Sequence, residues 1–332
     1  MKFGVRLPNS GPLANRENIV NVALESDKLG FHSVWVHDHI IWGTEQHKTH
    51  LSAGSAEALE DSQRPNFYES ITTLSYIAGM TRRVHLGIAV LVLPLRNPLV
   101  VAKEIANLDV LSEGRVIVGV APGAPNITKQ EFEAIGVPYE KRGKLTDEYI
   151  QAMRNIWTEN LASFSGDHVK FREAQIFPKP QQKEIRILIG GGERGISPRA
   201  LRRVVELGDG WIPAYLTPEE MANGISTIKQ AAASAGRDPD HFYYANEIFT
   251  ALNNDSNVAR ESSEMSIRSN FATLEEGMKR SLVGTPRELM EKLKLYEKEG
   301  VQLIELKFVY SSVPSLLEMM KLFADEVIPE FS

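Results

Sequence analysis

Three adjacent titratable residues, His37, Asp38 and His39, are the first candidates for chemistry in this sequence. They end an apolar, β-branched run, where an imidazole could take up or release a proton near neutral pH. Because side chains alternate along a strand, His37 and His39 should share one face while Asp38 points away, unless a bulge redirects it. We therefore take His39 as the candidate proton-handling residue, with Asp38 orienting it or accepting a bond from a cofactor.

A metal site is the alternative for the same segment, because the His-x-His spacing also occurs in metal-dependent barrel hydrolases. Such a site needs further ligands from later strands. The chain has no cysteine, which excludes thiolate ligands and a cysteine nucleophile. The loop that follows contains Trp42, His47 and His50. None of the remaining histidines ends a predicted strand: they are His32, His85, His168 and His241. The sequence therefore favours proton chemistry without a metal.

A glycine-rich segment, Gly190, Gly191 and Gly192, follows an apolar run and leads into a helix start at Ser197-Pro198. Such a turn can hold a phosphate, because backbone N–H groups and the helix dipole point at one place. Its spacing is not that of the dinucleotide fingerprint. Glycines also permit a tight turn without any ligand, so this alternative stays open.

Two further segments offer weaker candidates. The loop around Gly119–Gly123 includes Pro122, continues through Pro125 and reaches Asn126, whose side chain could form a hydrogen bond. A plain turn without a ligand is at least as well supported. Arg142, in the segment Tyr139–Tyr149, could reach an anion. On a long amphipathic helix, however, such residues more often form a solvated face.

The elements that must position these residues alternate along the chain, which is typical of repeated βα units around a parallel sheet. The predicted strands are Lys2–Leu7, Ser33–His39, Val84–Leu93, Arg115–Val120, Arg186–Gly191, Gly210–Tyr215, Phe242–Ala251 and Gln302–Phe308. The predicted helices are Asn15–Gly30, Phe67–Met80, Pro98–Leu111, Tyr139–Leu161, Pro198–Leu207, Pro218–Ala235, Asn257–Lys279 leading into Pro286–Glu299, and Pro314–Val327. Eight such units make a (β/α)8 TIM barrel, with its active site at the C-terminal strand ends.

Helix boundaries are marked by local signals. A capping residue followed by proline predicts four helix starts: Asn97-Pro98, Ser197-Pro198, Thr217-Pro218 and Thr285-Pro286. Thr217 with Glu220 and Thr285 with Glu288 extend to capping boxes. Glycines predict four helix ends: Gly30, Gly114, Gly208 and Gly300.

Length and composition bound the class of protein. The 332 residues exceed the roughly 250 of a typical barrel, so we expect one domain with insertions in the loops. These insertions fall at about 40–66, 163–184 and 253–281. The net charge of -6 gives no basic footprint for nucleic acid or an anionic membrane. No signal peptide or long apolar run is present, so we expect a cytoplasmic protein acting on a small molecule.

Five segments in order make the chain resemble the luciferase-like flavin and deazaflavin oxidoreductases. They are SVWVHDH (33–39), LGIAVLVLPLRNPLVVAKEIANLDVLSEGRVIVGVAPG (86–123), GVPYEKRGKLTDEYIQAMRNIW (136–157), ILIGGGERGISPRALRRVVELGDGW (187–211) and SLVGTPRELMEKLKLYEKEGVQLIEL (281–306). The family's fold is a (β/α)8 barrel with insertions, and the resemblance covers nearly the whole chain.

The resemblance implies a cofactor, coenzyme F420 or FMN, across the barrel mouth. A non-prolyl cis peptide bond that supports the ring would map onto Ala89 and Val90. The phosphate would lie on Gly190, Gly191 and Gly192. In the F420 branch an Asp-His pair lies against the deazaflavin, and Asp38 and His39 match it. A homodimer or larger homo-oligomer is also implied.

One position departs from the family pattern. Some F420 enzymes carry a glutamate proton donor after the glycine that follows strand four, whereas this chain has Ala124, which puts the identity of the proton donor in doubt. We predict an F420-dependent oxidoreductase that transfers a hydride to or from a small organic substrate. The alternatives are an FMN-dependent monooxygenase and, further away, a metal-dependent hydrolase or a catalytically silent cofactor-binding barrel.

Overall fold

The chain alternates strands and helices throughout the part that a computed structural model describes, residues 1–41, 66–124, 128–192 and 194–331. The strands are β1 (Lys2–Arg6), β2 (Ser33–Val36), β3 (His85–Val92), β4 (Val116–Ala121), β5 (Ala162–Ser165), β6 (Lys170–Ala174), β7 (Ile187–Gly190), β8 (Gly210–Ile212), β9 (Tyr243–Leu252), β10 (Leu282–Gly284) and β11 (Leu303–Phe308). The helices are α1 (Arg16–Leu29), α2 (Ser70–Ala78), α3 (Pro98–Leu111), α4 (Lys129–Ile135), α5 (Arg142–Thr158), α6 (Pro198–Leu207), α7 (Pro218–Ser234), α8 (Ser256–Asn270), α9 (Leu274–Arg280), α10 (Pro286–Lys298) and α11 (Val313–Glu326).

Eight of the described strands close into a parallel barrel, as the sequence predicts. The order around the ring is β1, β2, β3, β4, β7, β8, β9 and β11, and β11 pairs with β1. The pairing of β8 with β9 completes the circle. Short β10 adds to the C-terminal end of β9, and β5 with β6 forms a separate antiparallel hairpin.

Alternation along each strand divides the core into two layers. In β2, Val34 and Val36 face the helices, whereas Trp35 fills the barrel interior, where it is fully buried. A Cβ on Gly4 or Gly87 would lie 2.3 Å from the indole of Trp35. The two neighbouring strands therefore carry glycine where the large ring passes, and the interior is filled by side chains rather than open.

The predicted helix signals are present, with one correction. All four cap-proline starts have the expected side-chain cap, and both capping boxes form. Gly30, Gly114 and Gly300 adopt the left-handed conformation at helix ends. Gly208 does not, because its φ is -93°. The reason for glycine there is close packing, since a Cβ would lie 2.6 Å from Cγ1 of Ile189.

Several predicted boundaries were wrong. The strand predicted for 33–39 ends at Val36, since the side chain of Asn9 binds the backbone N–H and C=O of His37 and replaces ladder bonds there. The strand predicted for 210–215 ends at Ile212. The helix predicted from residue 139 begins at Arg142, after a short 3-10 turn, and the stretch 257–279 is divided into α8 and α9.

Three elements were not predicted: the β5–β6 hairpin within the insertion 163–184, strand β10, and helix α4. The insertion predicted for 40–66 falls almost wholly outside the described residues. That the whole chain is one domain stays a prediction. No helix of the described part is long and apolar enough to cross a membrane.

Candidate functional site

A cavity of about 1200 Å³ opens at the C-terminal ends of the barrel strands. Its wall includes His39 after β2, Val90 of β3, the Gly190–Gly192 loop after β7 and Arg142 at the start of α5. Residues that are far apart in sequence thus meet in one place, at the end of the barrel where the sequence predicts the site. The volume is ample for a cofactor together with a small molecule.

The bulge in β3 forms one wall of the cavity. A cis peptide bond joins Ala89 to Val90, at the position that the family resemblance implies. The register between β3 and β4 shifts between Ile88 and Leu91. A Cβ on Gly119 or Gly190 would lie within 3 Å of Cγ1 of Val90, at 2.9 and 2.8 Å. Both neighbouring strands therefore carry glycine where the bulged residue projects.

His39 is held by a carboxylate that the sequence did not indicate. Its Nδ1 lies 2.6 Å from Oε1 of Glu131, on α4, which is fully buried. The other oxygen of Glu131 accepts the backbone N–H groups of Ile40 and Ile41, at 2.9 and 3.2 Å. An ionised carboxylate only accepts hydrogen bonds, so a proton on Nδ1 would be donated to Glu131.

Asp38 points away from the imidazole and into an ion pair. Arg96 donates to both of its oxygens, at 2.7 and 2.6 Å, and the same carboxylate accepts the Ser70 hydroxyl and the backbone N–H of Val92, both at 2.9 Å. The direction agrees with strand alternation. Asp38 borders the cavity but ties the end of β2 to the end of β3. Its predicted contact with a cofactor stays a prediction.

The glycine loop after β7 has the properties of a phosphate cradle. Gly191 and Gly192 have φ values of 120° and 119°, and a Cβ on Gly191 would have no neighbour closer than 4.0 Å. Within the described ranges, their N–H groups donate to no protein acceptor. Helix α6 begins just beyond, with Ser197 as its N-cap. Free donors, open space and a helix N-terminus fit a phosphate group.

Six cations lie around this loop in the described part of the chain, and three of them have a carboxylate partner. Arg202 and Arg203 pair with Asp147, and Arg194 pairs with Glu276 at 3.1 Å. In the part of the chain that the structure describes, Arg199 and Lys144 line the cavity without an ion-pair partner. Arg142 stacks 3.9 Å above the ring of Tyr139 and also lines the cavity. These three residues are the positive charges left for a bound anion.

The structure therefore brings most of the predicted residues together at one mouth: His39, Asp38, Ala89, Val90, Gly190, Gly191, Gly192 and Arg142. Asn126 lies outside the described residues. Sequence reasoning missed Glu131 and Arg96. Neither residue has a local signal in the sequence, since Glu131 lies in the short helix α4 and Arg96 meets Asp38 only in the folded chain. Across the described ranges, no group of three potential metal ligands is present.

Comparison with known proteins adds a family match. The profile of the family described as luciferase-like monooxygenase matches residues 1–303. An uncharacterised protein of Mycobacterium bovis is 31% identical over 215 residues, which is 64% of this chain and 73% of that protein.

Two proteins with a likeness to this chain, one in sequence and one in fold, are named for different cofactors. The FMNH2-dependent dimethylsulfone monooxygenase of Pseudomonas putida is 27% identical over 301 aligned residues, covering 80% of this chain and 78% of the relative. A solved structure, an F420-dependent secondary alcohol dehydrogenase in complex with an F420-acetone adduct, superposes with a TM-score of 0.79 at 19% identity over 98% of both chains. The second likeness concerns the fold.

Proposed function

The chain belongs to the luciferase-like monooxygenase family, which has F420-dependent and FMN-dependent members, and from that premise we propose an F420-dependent oxidoreductase. It would transfer a hydride between the deazaflavin and a small organic substrate. We also propose that it works as a homodimer or larger homo-oligomer. The observation that carries the proposal is the His39–Glu131 pair beside the β3 bulge, because it supplies an oriented proton-handling imidazole at the cavity wall.

The residues at the mouth of the cavity would have separate roles. Gly191 and Gly192 would hold the phosphate, Val90 would support the ring, and Arg199 with Lys144 would attract an anionic tail. The deazaflavin ring supplies hydride transfer when bound, and the carbon in place of the flavin N5 makes a useful oxygen adduct unavailable. His39 would take up or release at Nε2 the proton that the cofactor ring exchanges, while Glu131 keeps the proton on Nδ1.

The alternative is an FMN-dependent monooxygenase. FMN and F420 share a tricyclic ring and a ribityl phosphate, so the glycine loop accepts either. They differ in the tail, since F420 continues as an oligoglutamate polyanion that gains from cations near a helix N-terminus. Among the described residues around the loop, Arg199, Lys144 and Arg142 remain for that tail, because three neighbouring arginines are paired with carboxylates. The tail should therefore add a moderate, salt-dependent contribution to affinity.

The test is a titration of purified apoprotein with F420 and with FMN at low and at high salt. We expect F420 to bind more tightly than FMN, and added salt to narrow the difference. An Arg199→Gln, Lys144→Gln double variant should lose most of the F420 advantage while FMN affinity changes little. Tighter binding of FMN, or oxygen-dependent oxidation of a substrate with reduced FMN, would replace this proposal by the monooxygenase.

A further inference from the structure

A polar cluster, buried except for the half-buried Tyr215, lies on one wall of the cavity. It consists of Arg6 on β1, Tyr215 after β8, Glu247 on β9, and Glu305 and Lys307 on β11. In the eight-strand ring, these elements are consecutive, from β8 through β9 and β11 to β1, which pairs with β2. Tyr215, Glu247 and Lys307 line the cavity. The cluster and His39 therefore border the same cavity.

Hydrogen bonds join the members into one chain. Tyr215 donates its hydroxyl to Oε1 of Glu247 at 2.6 Å, and the Lys307 ammonium donates to the Tyr215 hydroxyl at 2.8 Å. Arg6 donates to the other oxygen of Glu247 at 2.6 Å and to Glu305 at 2.5 Å. Both oxygens of Glu247 are thus hydrogen-bonded, whereas Oε2 of Glu305 has no partner within the described residues. Lys307 ends the chain of hydrogen bonds.

Lys307 keeps unused hydrogen-bonding capacity. An ammonium has three N–H donors, and within the described residues one of them is used, toward Tyr215, while Glu247 lies 3.7 Å away. The ammonium sits 4.4 Å above the ring of Phe249, which cannot accept a conventional hydrogen bond. A buried cation with spare donors beside a cavity is a binding site for an oxygen atom.

Tyr215 is held in place at a conformational cost. Its φ of 61° lies in the left-handed region, which is rare for a bulky residue. The backbone N–H bonds to Glu247 O at 2.7 Å, Arg280 donates to the Tyr215 carbonyl at 3.1 Å, and the ring stacks on Phe249 at 4.7 Å. These contacts hold the strained backbone conformation and place the Tyr215 hydroxyl beside Lys307. Backbone strain of this kind is frequent at functional sites.

The ionisation of the two donors differs. Burial lowers the pKa of Lys307 to about 8, with the carboxylates of Glu247 and Glu305 opposing the fall. Burial also raises the pKa of Tyr215 well above its usual value, and the charge of Glu247 adds to the rise. A group that titrates near neutral pH exchanges protons most effectively, so Lys307 is the better proton donor and Tyr215 the better hydrogen-bonding partner.

We propose that Lys307 and Tyr215 bind the oxygen atom of a carbonyl substrate, or of the corresponding alcohol, and that Lys307 Nζ is the proton donor to that oxygen. The proposal rests on the proposed function, which supplies a reduced deazaflavin-class cofactor as the two-electron reductant. As a C–H bond forms at the carbonyl carbon, the C–O π pair moves to the oxygen. The oxygen then takes a proton from Nζ, and the neutral amine regains one from solvent.

The apolar side of the same wall defines the rest of the substrate. Phe271 lines the cavity and packs edge-on against Tyr215, with ring centroids 5.6 Å apart. Ala124, on the opposite rim, has no proton to give. A substrate with an aromatic or aliphatic body against Phe271 would thus present its oxygen to Lys307.

The experiment uses 4-nitrophenol as a probe on the purified apoprotein, since its ionised form is seen directly by visible absorption. A neighbouring cation lowers the pKa of an acid by about 1–3 units. We expect the bound probe to ionise at lower pH than the free probe, with at least a tenfold higher ratio of ionised to neutral form. Lys307→Met should abolish this shift, and Tyr215→Phe should reduce it.

Controls separate a local role from a general one. Tyr244→Phe removes the hydroxyl of another buried tyrosine, one without a hydrogen-bond partner and outside the cavity, and should leave the shift intact. If Lys307→Met does not fold, Lys307→Arg takes its place in the test. This variant keeps the charge and should retain part of the pKa shift of the probe. An unshifted probe in the wild type, a shift that survives Lys307→Met, or one that inorganic phosphate abolishes would overturn the proposal. Because the probe needs no cofactor, binding of FMN instead of F420 leaves this result unaffected.

Discussion

At the scale of single residues, the arrangement of His39 separates proton handling from cofactor binding. The imidazole is held at Nδ1 by Glu131, whereas the phosphate cradle lies after β7. A group that moves a proton contributes in the transition state, whereas a phosphate cradle contributes to the ground state and the transition state alike. The two kinds of residue should therefore have different kinetic signatures.

We expect His39→Ala to lower kcat by about 10²–10⁴-fold, because general acid–base catalysis contributes that much. The dissociation constant of the cofactor should change little. Stopped-flow single turnover and a cofactor titration measure the two quantities. His168→Ala, a change at an exposed histidine of the β5–β6 turn, is the control. Lost cofactor binding with an unchanged kcat in the remaining loaded enzyme would give His39 a structural role instead.

The sequence predicted one half of this pair and not the other. His39 follows a strand and is recognisable as a strand-end histidine. Glu131 lies 92 residues further along and reaches the imidazole only after the barrel has closed. In the sequence, Glu131 looks like one of several surface acids, since its short helix has only one fully buried apolar residue, Phe132. Tertiary contacts of this kind leave no local pattern.

At the scale of elements, the ends of β2 and β3 are joined through Asp38 and Arg96. The carboxylate is fully buried and the guanidinium is 11% exposed. The strand prediction extended β2 past Val36, where Asn9 binds the backbone of His37 and Asp38 meets this arginine. The local sequence indicated the strand's start correctly, while Asn9 and Arg96, the partners of the residues beyond its end, lie 28 and 58 residues away.

We expect Arg96→Met to lower the free energy of unfolding by about 3–5 kcal/mol, because it leaves the buried Asp38 without its counterion. Urea denaturation measures this change. The matched control is Arg287→Met, which removes an exposed pair with Glu291 in which the arginine is 86% exposed. That pair should be worth less than about 1 kcal/mol. Equal effects of both substitutions would show that Asp38 finds another partner.

A second prediction for the elements concerns the β7–α6 loop. Gly191→Asp adds a carboxylate where a phosphate would approach the backbone N–H groups, and losing one such bond costs roughly 1.5–3 kcal/mol, or at least tenfold in Kd. Calorimetric titration with the cofactor measures it. Gly236→Asp is the control, since that glycine is also left-handed, at φ 73°, with nothing near its Cβ. Unchanged affinity in a folded Gly191 variant would place the phosphate elsewhere, most plausibly toward Arg142.

At the scale of the whole molecule, the barrel was predictable because its signals are local. Cap-proline pairs, capping boxes and alternating apolar runs lie within a few residues of each other, and they gave all eight barrel strands. The β5–β6 hairpin was missed because its strands are short and largely exposed, so they lack an apolar alternation. The polar cluster around Lys307 was missed because it draws on three strands, β1, β9 and β11, and on the segment after β8, which meet only in the closed ring.

The N-terminal end of the barrel carries no candidate chemistry but should govern stability in mild acid. His32 stacks on His85 with ring centroids 4.4 Å apart. Burial, aided by the charges of His85, Lys2 and Arg186, lowers the pKa of His32 from 6.5 to about 3. The pKa of His85 is lowered as well, chiefly by burial. Between about pH 3 and pH 6.5, His32 binds a proton in the unfolded chain but not in the folded protein. The free energy of unfolding therefore rises with pH over this range.

We therefore expect His32→Gln to make the free energy of unfolding less sensitive to acid, by roughly 1 kcal/mol between about pH 7 and about pH 5.5. Burial raises the pKa of Glu305 to about 8, so this group makes the free energy of unfolding fall as pH rises over the same range. This effect is the same in the wild type and in the variant. The difference between their urea midpoints at the two pH values isolates His32. His168→Gln, at an exposed histidine, should keep the wild-type dependence. Parallel curves for wild type and His32→Gln would mean that the unfolded and folded proteins protonate this histidine alike.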